Sequence, residues 1–112
     1  SATQLHVIIG MLKDKEIAKV LDVFKDIVSS WRIIDLESPR AMPAIGIKKI
    51  LTKNMSQFNL NKDNIKTFAH FKEAYENFNE YNINNKSSKN ILLVFGSFHT
   101  VSDALTFLNL NN

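Results

Sequence analysis

The 112 residues carry 14 Lys and Arg against 11 Asp and Glu, and 45% of them are hydrophobic, which suits one domain, residues 1–112, with a modest core and little room for a second. The net charge of +3 is spread by interspersed acids instead of gathered into a basic block, so nucleic acid is not an expected partner. There is no cysteine for a disulfide or a thiolate metal site and no apolar run long enough to span a bilayer, so the expectation is a cytoplasmic protein without a membrane partner.

Leu5 to Ile9 is the first apolar run and reads as a buried strand stopped at Gly10, with His6 packed inside it rather than acting as a ligand. From Asp14 the period becomes helical: Ile17, Val20, Leu21, Phe24, Ile27 and Val28 share a face, and Asp14 is the expected N-cap. Met11 to Glu16 is thus a strand-to-helix turn whose lysines can meet an anion. Trp31 to Leu36 reads as a second strand, Glu37 to Pro43 as a loop, and Pro43 as the opening of a helix with Ile47, Ile50 and Leu51 on its apolar face.

Phe58 to Leu60 is expected as a short edge strand, and Asn61 or Asp63 as the cap of the next helix. Ile65, Phe68, Phe71, Tyr75 and Phe78 recur at spacings of three or four, which predicts one helix with an aromatic core stripe and His70 beside it at the surface. Tyr81 to Lys89 reads as a flexible connection. Ile91 to Phe95 is an uninterrupted apolar run, as in a strand covered on both faces. Gly96 ends it, and Thr100 with Asp103 has cap spacing before a helix bearing Val101, Ala104, Leu105 and Leu108.

Strand and helix therefore alternate, which predicts an α/β fold: a mostly parallel sheet, right-handed crossovers and helices on both faces. The turns Gly10 to Lys15, Glu37 to Arg40 and Gly96 to His99 should then share the edge beyond the strands' carboxyl ends, where such sheets hold ligands. The backbone N–H groups and dipole at the last of these favour a carboxylate or phosphate. Ser97 does not read as a nucleophile, because the turn is Phe-Gly-Ser-Phe-His and lacks the Gly-x-Ser-x-Gly elbow. With three glycines in all, the chain holds neither a nucleotide phosphate loop nor a dinucleotide fingerprint.

Gly-Met-Leu-Lys-Asp-Lys-Glu-Ile-Ala at Gly10 to Ala18, Leu-Glu-Ser-Pro-Arg-Ala at Leu36 to Ala41 and Val-Phe-Gly-Ser-Phe-His-Thr-Val at Val94 to Val101, with Trp31, resemble the C-terminal domain of bacterial bifunctional dihydrofolate synthase/folylpolyglutamate synthase. The resemblance implies a Rossmann-like domain of the Mur ligase superfamily. Those enzymes use ATP and Mg²⁺ to activate a carboxylate as an acyl phosphate, which the amino group of glutamate displaces to form an amide on dihydropteroate or folates. It further implies that Ser97 and His99 contact the glutamate carboxylate and that Lys13 or Lys15 neutralises it. Arg40 is either a further ligand or a loop anchor, and no residue is assigned to catalysis.

The family's ATP-binding N-terminal domain and its Asp-x-Ala-His-Asn-like motif have no counterpart in these residues. The expectation is a fragment of the glutamate-ligase domain lacking its first strand and helix, inactive alone, binding no nucleotide or metal of its own, and dependent on that missing domain. The alternative is a stand-alone, non-catalytic α/β module that binds an anion or a protein.

Overall fold

The computed structural model describes residues 3–54 and 62–109. Four strands, β1 (Thr3–Ile9), β2 (Val28–Ile34), β3 (Ile65–Phe68) and β4 (Lys89–Phe95), alternate with four helices, α1 (Ile17–Phe24), α2 (Ala44–Asn54), α3 (Phe71–Asn84) and α4 (Phe98–Leu108). All pairings are parallel, in the order β3-β2-β1-β4. The α/β class expected from the alternation is what the chain adopts.

Strand parity separates two cores. Val7, Ile9, Trp31, Ile33 and Ile65 point to one face, where Ile17 and Leu21 of α1 and Ala44, Ile47 and Leu51 of α2 cover them. Ile8 and Ile34 point to the other, against Phe71 and Ala74 of α3 and Ala104 of α4. The chain moves outward from β1 to β3 with its helices on one face, then returns across the sheet to β4 with α3 on the opposite face. A constant hand of crossover requires that change of face. The reversal puts a topological switch point between β1 and β4, beside the Gly10 and Gly96 turns.

Several boundaries differ from those the sequence predicts. The stripe from Ile65 to Phe78 is two elements, because Ile65 to Phe68 pairs with Trp31 to Ile34 as β3 and the helix begins only at Phe71. Ile65 joins one core and Phe68 packs against the other, so a spacing of three served two sheet faces instead of one helix face. Ile27 and Val28 leave α1: the helix ends at Phe24, and Val28 opens β2 opposite Leu5. Tyr81 to Asn84 extends α3, and the connection that follows is held by Asn90 Nδ2, which donates to Asn82 Oδ1 at 3.0 Å and to the Asn85 carbonyl at 3.2 Å.

The largest difference concerns β4. It is not covered on both faces but, among the described residues, forms a sheet edge paired with β1 alone, and Ile91 is 43% exposed. The edge strand expected at Phe58 to Leu60 and the Asn61 cap lie outside the described residues, while Asp63 falls in a short 3₁₀ turn, Lys62–Asn64, ahead of β3. His70 is at the surface, as expected, at the start of α3.

Candidate functional site

Parallel strands bring all their carboxyl ends to one rim, so the three polar turns meet there as the sequence implies. Each turn is tied to another. Lys13 N–H donates to the Arg40 carbonyl at 2.8 Å and Met42 N–H to the Met11 carbonyl at 2.9 Å, with Leu12 and Ala41 forming an antiparallel bridge. The fully buried Thr100 hydroxyl donates to the Gly10 carbonyl at 2.7 Å. That last bond joins the turn after β4 to the turn after β1 across the switch point.

Gly96 is required by this closeness. Its φ of +124° lies in a region side chains avoid, and a Cβ there would stand 2.4 Å from the Gly10 carbonyl oxygen. Ser97, in extended backbone, caps α4: its Oγ accepts the Thr100 N–H at 3.2 Å. The cap thus falls three residues before the expected Thr100, whose own hydroxyl goes to Gly10. Phe98 and His99 stand exposed in the first turn, with their N–H groups among the donors a helix start leaves unpaired.

Lys13 and Lys15 project from the neighbouring turn as exposed side chains. Asp14 is not the N-cap of α1. Its Oδ2 accepts from Arg40 Nη2 at 2.7 Å, and α1 starts after Glu16 without a side-chain cap. Arg40 therefore serves as a bridge between the first and second turns. The pair is more than half exposed on both sides, which limits its stabilisation to about 0–1 kcal/mol.

A cleft of about 340 Å³ opens further along this side of the molecule, lined by Asp35, Glu37, His70, Phe71, Asp103 and Phe107 among others. Ser97, His99, Lys13 and Lys15 do not line it, and they form an open surface at the rim. Asp35 is a residue the sequence does not disclose: its Oδ1 accepts the Ala44 N–H at 2.7 Å and so satisfies the start of α2 from nine residues away. Among the described residues no group of three or more His, Asp or Glu could hold a metal ion, and no helix is long and apolar enough to cross a membrane.

Fold and rim together define a parallel α/β domain whose polar turns converge at a switch point, the arrangement that presents small ligands beyond the strand ends. No protein-family model matches the chain. It is 29% identical over 103 residues to the dihydrofolate synthase/folylpolyglutamate synthase of Buchnera aphidicola, covering 92% of this chain and 22% of that enzyme. E. coli FolC in complex with ADP superposes with a TM-score of 0.75 at 27% identity, over 98% of this chain and 23% of FolC. Mycobacterium tuberculosis folylpolyglutamate synthase complexed with ADP and AMPPCP gives 0.78 at 17% identity over 96% of the chain and 24% of that protein, a likeness of fold alone. The likeness in sequence and the likeness in structure thus fall on the same kind of enzyme, and the chain spans less than a quarter of each relative.

Proposed function

We propose that the chain is part of the C-terminal domain of an ATP-dependent amide ligase that adds L-glutamate to dihydropteroate and to folates, and that its rim contributes to the glutamate site. The observation that carries this reading is the knot of Gly96, Ser97 and Thr100 on Gly10, which sets an exposed helix start beside the turn bearing Lys13 and Lys15. A glutamate carboxylate there would accept hydrogen bonds from the α4 N-terminus and from a lysine ammonium, both charge-assisted and favoured by the helix dipole. The Ser97 hydroxyl hydrogen is taken by Thr100 Oγ1 at 3.2 Å, since the Thr100 hydroxyl itself donates to Gly10, so Ser97 would contact the carboxylate by re-aiming that hydroxyl or through its backbone N–H, His99 through a ring N–H, with Lys13 and Lys15 as alternatives for the same carboxylate.

The chain's own part in catalysis is positioning: the amino group of glutamate must be held toward an acyl phosphate. ATP and Mg²⁺ supply carboxylate activation and are assigned to the rest of the enzyme, since neither a phosphate loop nor a metal-binding cluster occurs among the described residues. Similarity to folate ligases over nearly all of the chain favours this reading over a stand-alone anion- or protein-binding module. A cytoplasmic setting accompanies it.

The test is a chimera in which this chain replaces the matched region of the Buchnera enzyme, assayed for ATP- and glutamate-dependent conversion of dihydropteroate to dihydrofolate. Activity is expected from the chimera and none from the chain alone. A folded chimera without activity, or turnover by the isolated chain, contradicts the proposal.

A further inference from the structure

The rim opposite the glutamate turns holds a buried charge that the proposed ligase role does not use. On the α3 face, strand parity places His6, Ser30, Arg32 and Lys66 toward the amino ends of the strands, where the row above them is Ile8 and Ile34. Arg32 is only 4% exposed. Its Nε donates to Asn77 Oδ1 at 3.0 Å and its Nη1 to Ser30 Oγ at 2.6 Å, and the guanidinium lies 5.5 Å from the centre of the Phe78 ring. These partners are all neutral.

Among the described residues nothing hydrogen-bonds the other terminal nitrogen of Arg32, and no carboxylate is recorded in an ion pair with it. Lys66 is directly opposite Arg32 on the neighbouring strand, and like charges in that relation repel. Desolvation lowers the Arg32 pKa, the mark of a cation buried without its counter-charge. His6 cannot supply one, because an imidazole is neutral or cationic; its Nδ1 lies 2.6 Å from Ser30 Oγ and its Nε2 3.1 Å from Asn90 Oδ1. Burial, first of all, lowers the His6 pKa and so favours the neutral ring.

Arg32 and Lys66 both line a cleft of about 130 Å³ with Gln4, Ser29, Ser30 and Tyr81. At ~30 Å³ per water this is room for about four waters, or for one carboxylate- or phosphate-sized group. Asp63 also lines this cleft, and Glu80 lines an adjoining groove. We propose that Arg32 and Lys66, with the Ser29 to Ser30 start of β2, form a second anion site for a small carboxylate or phosphate group, on the rim opposite the glutamate turns. The missing counter-charge of a buried, half-partnered guanidinium is what the anion supplies.

Amide shifts of the 112-residue chain, followed by NMR at constant ionic strength in chloride, test this with inorganic phosphate in one arm and acetate in the other. Saturable shifts at Ser29 to Arg32 and at Lys66 are expected, and the arm that saturates first identifies the source as a phosphate or a carboxylate. Arg32→Gln should weaken binding at least about tenfold. Lys66→Gln, at an exposed position, should weaken it about threefold or more and keeps the test decisive if Arg32→Gln does not fold. Lys49→Gln on the opposite helix layer should change nothing. Linear, non-saturating shifts, shifts confined to residues 13–15 and 97–99, or affinities indifferent to Lys66→Gln overturn the proposal.

Discussion

At the scale of the residue, Gly96 bears the strongest constraint, because positive φ and a backbone oxygen 2.4 Å from where a Cβ would stand exclude every side chain at once. Gly96→Ala should cost at least about 2 kcal/mol, the sum of a sparsely populated backbone region and a clash that cannot relax into a flexible side chain; the urea midpoint of the variant measures it. His6 makes a second prediction. Burial lowers its pKa, the Arg32 charge lowers it further, and the Asn90 hydrogen bond only partly opposes them. The unfolded chain therefore binds a proton more readily than the folded one, so stability is full above pH 6.5 and is lost as the pH falls below it. Urea titrations from about pH 7.5 to about pH 5 should show this decline, and His6→Asn should flatten it.

Single residues were legible in the sequence where their chemistry is local. Gly96 as a strand stop and His6 as a packed histidine needed only their neighbours. Thr100 and Asp14 each fitted a cap by spacing, but their oxygens went to partners 90 and 26 residues away. Those bonds exist only once β1, β2 and β4 lie side by side, and no spacing rule contains that information. Arg32, in an apolar strand, gave no sign that its charge would be buried without an acid.

At the scale of the element, the switch-point knot couples α4 to the turn after β1. Thr100→Val keeps the shape but removes the hydroxyl that donates to the Gly10 carbonyl, and should destabilise by about 1–2 kcal/mol. Arg40→Ala, which removes an exposed bridge, should cost about 0–1 kcal/mol. Comparing the two urea midpoints separates a buried tie from a solvated one. The helix and strand types were readable where a run was long, as at Leu5 to Ile9 and Ile91 to Phe95. They were misread at Ile65 to Phe68 because four residues cannot distinguish a helical period from two sheet faces. Pairing with β2 decides that segment.

At the scale of the whole molecule, the parallel order β3-β2-β1-β4 follows from alternation and crossover hand, but which strand lies at an edge does not. β4 looked like an interior strand because its composition is apolar, and it is an edge strand whose surroundings include the exposed Ile91, Val101 and Leu105, with Phe98 85% exposed at the rim. An apolar edge strand with no second strand partner among the described residues invites pairing between copies. Sedimentation of the chain should show association that grows with concentration, and Ile91→Lys should suppress it; a monomer at all concentrations would show that the edge is protected.

The glutamate assignment is tested most directly by the Michaelis constant for L-glutamate in the active chimera, with Lys13→Gln and Lys15→Gln made singly. Both lysines are exposed and make no hydrogen bond through their side chains among the described residues, so the fold should be indifferent to either change. One of the two is predicted to raise the KM for glutamate about tenfold or more, the loss of a charge-assisted contact, with the KM for ATP unchanged. A glutamate KM that neither substitution moves would contradict the account.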